Sequence, residues 1–100
     1  MKTFVLTALA DRDLDQIWEY LAKDNIQTAD RVLLAIEKAI HKIAKAPGIG
    51  HYRQELADQR HRFFLVYSYL VIYRTNTQPL QIIRVLHAAR DIPNLLNTTL

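Results

Sequence analysis

Apolar residues fall into two helical stretches followed by three extended ones. Leu14, Ile17, Trp18 and Leu21 recur at i, i+3, i+4 and i+7, the spacing of one apolar helical face with Trp18 turned to the core. Tyr20 lies off that face, where it is free to touch a partner. Thr7 precedes the pattern, and its hydroxyl is placed to accept from the first-turn amides as an N-cap. Asp11, Asp13 and Asp15 fall in the opening turns, where negative charge suits the helix dipole. Asp24-Asn25 breaks this helix. A second helix is predicted from about Gln27 to Lys45, because Ala29, Val32, Leu33, Ile36, Ile40 and Ile43 keep helical spacing. Lys42 and Lys45 sit near its C-terminal end, and Pro47 stops it. A short β-friendly segment, Lys2 to Leu6, comes before both.

The second half changes period. Pro47-Gly48-Ile49-Gly50 holds both glycines of the chain and forms the main loop. His61 to Tyr67 and Tyr69 to Arg74 are rich in aromatic and β-branched residues, as strands are, and the turn between them near Tyr67-Ser68 is tight and lacks glycine. Thr75 to Pro79 is a polar turn. Leu80 to His87 is a third strand whose Ile82, Ile83, Val85 and Leu86 put apolar groups on both faces, as a central strand covered twice requires. Asp91-Ile92-Pro93 ends the ordered part, and about 93–100 is left as a short helix or a loose or partner-bound tail. The expected fold class is α+β: a single domain, 1–100, in the order β-α-α-β-β-β, with a helical hairpin packed on a small, mostly antiparallel sheet. The sheet face away from the hairpin needs its own cover, from a partner or from the C-terminal segment.

Composition narrows the function classes. There is no cysteine, so disulfide frameworks, thiolate metal sites and Cys nucleophiles are excluded. The longest uncharged apolar run, Phe63 to Tyr73, is about half a membrane span. The N-terminal apolar stretch is too short for a signal peptide, so a cytoplasmic protein is expected. The net charge of +3 hides an asymmetry. Residues 1–50 balance seven Lys/Arg against seven Asp/Glu, whereas residues 51–100 carry six Arg and no Lys against Glu55, Asp58 and Asp91. Arg suits bidentate recognition of carboxylate or phosphate. Two readings stand: a chance preference of strands for Arg, or an Arg-lined surface for a nucleic acid or acidic partner.

Several short runs, in order, resemble the ParE/RelE superfamily of toxins from type II toxin–antitoxin modules. They are Leu6-Thr7 with Ala10, Asp13-Leu14 with Ile17-Trp18 and Tyr20, and Ala29 at the second helix. Pro47 and Gly50 follow, then Tyr69-Leu70-Val71-Ile72-Tyr73-Arg74 and Ile82-Ile83-Arg84-Val85-Leu86-His87-Ala88-Ala89-Arg90-Asp91. The last run is similar to the ParE, or plasmid-stabilisation, branch more than to the RelE branch. The resemblance implies a toxin that poisons DNA gyrase, blocks replication and arrests growth, held silent by a cognate antitoxin, with no cofactor. The RelE alternative implies a ribosome-dependent, metal-independent endoribonuclease acting on mRNA. Such cleavage needs a base, an acid and cations around the phosphorane. Of the RelE-like set, Arg90 is kept, only Arg62 is basic where lysines alternate on a strand, Leu70 replaces an arginine, and no tyrosine follows Tyr73. If the chain is a nuclease, His87, Arg90 and Arg62 are its catalytic candidates.

Other side chains carry two readings each. His87 could serve as acid or base, or could hydrogen-bond the neighbouring backbone or Asp91. Arg74, Arg84, His87 and Arg90 are the target-binding candidates; the arginines either share a patch or cover a sheet edge with their stems, and Asp91 is a natural ion-pair partner for Arg84 or Arg90. Leu34, Leu95 and Leu96 lie off the core pattern and are antitoxin-binding candidates. His41, His51 and His61 lack metal-ligand spacing with any acid, so no metal site is expected.

Overall fold

The computed structural model describes residues 4–99, with side chains through Asn97; Lys2 and Thr3 of the expected first strand lie outside them. Strand β1 (Phe4–Leu6) leads into helices α1 (Ala8–Ala22) and α2 (Ile26–Lys45) and a 3₁₀ turn (Pro47–Ile49). Strands β2 (His61–Val66), β3 (Tyr69–Arg74) and β4 (Leu80–His87) follow, and helix α3 (Ile92–Thr99) closes the order. The caps are side-chain caps. Thr7 Oγ1 accepts from the Ala10 N–H at 3.1 Å and donates to the Ile83 carbonyl at 2.7 Å, so the start of α1 is tied to β4. Asn25 Oδ1 accepts from the Thr28 N–H at 3.0 Å. The residue that ends α1 in the sequence pattern therefore also starts α2, one position earlier than its spacing predicts.

The four strands order as β1-β4-β3-β2. β1 and β4 are parallel, while β4–β3 and β3–β2 are antiparallel. β4 is thus central, as its apolar character on both faces demands. Its pairing with β3 carries a bulge: Ile72 stands opposite Arg84 and Tyr73 opposite Ile82, so Ile83 is the extra residue.

Two cores result. Between sheet and helical hairpin lie Ile17, Val32, Ile36, Ile40, Ile43, Val71, Tyr73, Ile82 and Val85. Across the sheet, Phe63, Leu70, Ile72, Ile83 and Leu86 pack against Ile92 and Leu96 of α3, with Leu56, Ala57 and Leu95 at the margin. The C-terminal segment is therefore the cover of the second face, and of the readings left open for it the short helix is the one observed. α3 begins at Ile92, and burial of Ile92 and Leu96 on the apolar face of β3 and β4 orders it.

Tyr73 anchors the long loop. Its hydroxyl donates to the Pro47 carbonyl at 2.6 Å and accepts from the Gly50 N–H at 2.8 Å. Gly50 has to be glycine for a steric reason, since a Cβ there would overlap the Tyr73 hydroxyl and ring. Removing that hydroxyl by Tyr73→Phe leaves the buried Gly50 N–H and the Pro47 carbonyl unpaired. A loss of about 1–3 kcal/mol is expected, read as a lower urea midpoint at unchanged m-value.

Candidate functional site

The bulge in β4 redirects one charge. Arg84 interrupts the apolar run from Ile82 to Leu86, and its side chain reaches Asp13 on α1. Nε donates at 2.7 Å and Nη2 at 2.8 Å to the two carboxylate oxygens. Asp13 Oδ2 also accepts from the Val85 N–H at 3.0 Å. The carboxylate raises the Arg84 pKa further by this hydrogen bonding. Both side chains are nearly enclosed, at 11% and 7% exposure. Arg84 is consequently engaged inside the fold and not on an open surface: a bulge lets consecutive residues serve one face, and the helix supplies the buried counter-ion. Its partner is Asp13, not Asp91.

Antiparallel register separates the remaining cations. Arg74 ends β3 opposite His61 and Gln81, whereas His87 ends β4 opposite Tyr69. Arg62 stands opposite Tyr73, four residues along β3 from Tyr69, or about 13 Å. The Arg62 guanidinium donates to the Gly50 carbonyl at 2.8 Å and lies 4.2 Å over the Tyr52 ring, so it clamps the loop. The shared patch of Arg74, Arg84 and Arg90 does not form, and Arg62 is not brought to His87 and Arg90. Two of the arginines sit at opposite ends of the sheet and the third is buried.

Only His87 and Arg90 come together, and they line a groove between α1 and the β2–β3 turn. Tyr69 forms part of its wall, edge-on to the His87 ring at 5.4 Å. His87 Nδ1 accepts from the Ala89 N–H at 3.0 Å, which leaves the proton of the neutral ring on Nε2. That contact matches the structural reading of His87, a hydrogen bond to neighbouring backbone. Burial, and then the Tyr20 phenol nearby, push the Tyr69 pKa up. Tyr20 and Tyr67 rise beside them at 71% and 60% exposure. Tyr67 has a φ of 53°, a left-handed backbone that costs a bulky residue about 1–3 kcal/mol.

A second groove lies on the other side of α1, between it and α2. Phe4, Leu6, Leu14, Trp18, Leu33 and Leu34 make its apolar surface, with Asp11, Asp15, Asp30 and Glu37 around it. Leu34 is half exposed here, and Trp18 is not a core residue: it is half-buried in the groove, donating from Nε1 to Asp30 at 2.8 Å. Leu95 and Leu96 are not groove residues. Leu96 is fully buried under the second sheet face and Leu95 packs at its margin, because the uncovered apolar strands claim them.

His61 is enclosed at the start of β2, with Nδ1 3.0 Å from Asp58 Oδ1 and no partner for Nε2 among the described residues. Burial pushes its pKa down, outweighing the Asp58 carboxylate, and the charges of Arg74 and Arg60 add to the lowering. Asp58 in turn is held well below the usual carboxylate range, first by hydrogen bonding from Arg60. Among the described residues no three His, Asp or Glu side chains could jointly hold a metal ion, and no helix is long and apolar enough to cross a membrane.

The family model for the ParE toxin of type II toxin-antitoxin systems, parDE, matches residues 4–92. The chain belongs to that ParE toxin family. It is similar to Toxin ParE3 of Caulobacter vibrioides, with 29% identity over 93 residues and 92% of each chain covered. Its fold is that of a chain in a structure titled "Chromosomal ParDE TA system from P. aeruginosa". That match has a TM-score of 0.71 at 19% identity and covers 87% of this chain and 96% of the other. Within this ParE-family toxin, two features escaped the sequence pattern. Asp13 keeps phase with the buried Ala10 and Ile17, which was the available signal that this acid points inward. Tyr67 was detectable only as a tight turn without glycine.

Two outcomes test these assignments. Asp13→Ala removes the carboxylate that pairs with the buried Arg84 and should destabilise by about 3–5 kcal/mol, whereas Asp13→Leu with Arg84→Met should recover most of that loss; chemical denaturation of the three proteins measures both. For His61, the folded state resists a proton that the unfolded imidazole takes near pH 6.5, so the unfolded state binds more protons below that value. Stability is therefore full above pH 6.5 and falls as pH drops through it. Thermal midpoints from about pH 7 to about pH 5 should show this slope in the parent and a flatter one in His61→Gln.

Proposed function

We propose that this ParE-family toxin acts in the cytoplasm by binding DNA gyrase and trapping it with its DNA cleaved, with no bond change catalysed by the toxin itself. The observation that carries the reading is the dispersal of the ribonuclease set. Arg62 is locked onto Gly50 and Tyr52 at one end of the sheet, while His87 stands opposite Tyr69 at the other. A phosphorane needs its acid, base and cations within hydrogen-bond reach of one group. Arg90 and a His87 whose Nδ1 is occupied by the Ala89 N–H do not supply them. The ParE family membership supports the same conclusion.

A cognate antitoxin neutralises the toxin by seating a segment in the groove between α1 and α2. The groove offers Leu34 and Trp18 for apolar contact, and β1, at the outer edge of the sheet, offers an unpaired strand edge beside it. Folding on binding suits such a surface. Four carboxylates and no Lys or Arg among the described lining residues favour a segment that is amphipathic and basic.

Purified toxin freed from antitoxin should block supercoiling of relaxed plasmid by gyrase, or accumulate cleaved plasmid, while leaving reporter mRNA intact in cell-free translation. Codon-phased mRNA cuts with unaffected gyrase would overturn the reading in favour of the ribonuclease. Leu34→Glu should weaken antitoxin affinity at least tenfold by fluorescence anisotropy.

A further inference from the structure

Helix α1 divides two grooves of opposite electrostatic character. It turns Asp11, Leu14, Asp15 and Trp18 to one and Asp13, Gln16, Ile17, Tyr20 and Leu21 to the other. Each encloses about 660 Å³. The first is ringed by carboxylates. In the second, Asp13 is the one carboxylate among the described residues, and it is already bound by Arg84 and the Val85 N–H. What remains there is the exposed Arg90, which makes no ion pair among the described residues, and the outward Nε2–H of His87.

We infer that the second groove is the surface on which the toxin engages its protein target, and that it takes an acidic segment with apolar neighbours. The inference rests on the toxin reading above and names the contact surface that the reading leaves open. Charge complementarity sets the sign of the occupant, because Arg90 and His87 line a groove with no free carboxylate among the described residues. The side chains set its kind. Tyr20 and Tyr67 stand over a floor that includes Ile17 and Val85. Exposed tyrosine and arginine around an apolar floor form the composition that concentrates binding energy between proteins, and tyrosine loses little rotamer entropy on contact.

The backbone at Tyr67 is the independent observation. A two-residue turn with positive φ favours glycine, asparagine or aspartate, yet a tyrosine occupies it with most of its side chain in solvent. The fold gains little burial in exchange for the strain. Strain held without a folding return points to a contact made outside the chain.

The test is a growth-arrest series in cells, with each variant also titrated against the purified cognate antitoxin. Tyr67→Asn should keep or raise the thermal midpoint, since asparagine accepts the left-handed backbone, and lose growth arrest at least tenfold in the inducer needed. Tyr20→Ser and the charge reversal Arg90→Glu should lose arrest in the same way, all three keeping antitoxin affinity within about twofold of the parent. Arrest equal to the parent in the three variants overturns the proposal. So does a parallel fall in antitoxin affinity, which would give the groove to the antitoxin, and so does a parent chain that arrests no growth. Binding of a fluorescent single-stranded DNA 20-mer that Tyr67→Asn weakens would overturn the protein occupant in favour of nucleic acid. A parent that arrests growth while gyrase supercoils normally would sink the gyrase reading alone, and the series would still judge the groove.

Discussion

One buried ion pair sets how the helical layer sits on the sheet. Asp13 accepts from both donors of the Arg84 fork and from the Val85 amide, so a single carboxylate satisfies a side chain and a backbone group at the bulge. Such a pair contributes little net stability over an apolar substitute, because desolvation offsets the attraction. Its consequence is positional. It fixes the rotation of α1 about its axis and its height along β4, and the Thr7 hydroxyl on the Ile83 carbonyl fixes the same junction nearly two helical turns away. Each of the two grooves beside α1 takes its width from that setting.

The rotation of α1 also decides where charge appears. With Asp13 turned inward, Asp11 and Asp15 emerge on one side of the helix and Gln16 and Tyr20 on the other. A small toxin that must meet both a neutralising partner and a target benefits from two surfaces of different charge, because a like-charge segment is rejected by the wrong groove. The same helix thus contributes to both surfaces from opposite faces.

The exposed aromatic and charged groups beside α1 sit at the low-burial margin of the fold. The second sheet face is covered by the chain's own α3, the long loop is pinned by Tyr73 and Arg62, and the turn at Tyr67 is the one described non-glycine position with positive φ. The left-handed turn and the exposed tyrosines therefore stand out against a background in which most side chains have a structural reason.

The order of elements, the Thr7 cap, the bounds of β3 and β4, and the central place of β4 were legible in the chain itself. Local capping chemistry and the switch from a 3.6 to a 2.0 period act over a few residues, and so they are written in neighbouring side chains. Family membership was legible for the same reason, since ordered short runs survive as sequence. The site was not. Arg74, Arg84 and Arg90 lie within a short stretch of the chain, yet antiparallel register sends two of them to opposite ends of the sheet, and a one-residue bulge with a helical counter-ion buries the third. Leu95 and Leu96 looked free because their partners, Phe63, Leu70 and Leu86 among them, lie at least nine residues away in sequence. Pairing register and long-range burial depend on which segments meet, and that is set by tertiary structure alone.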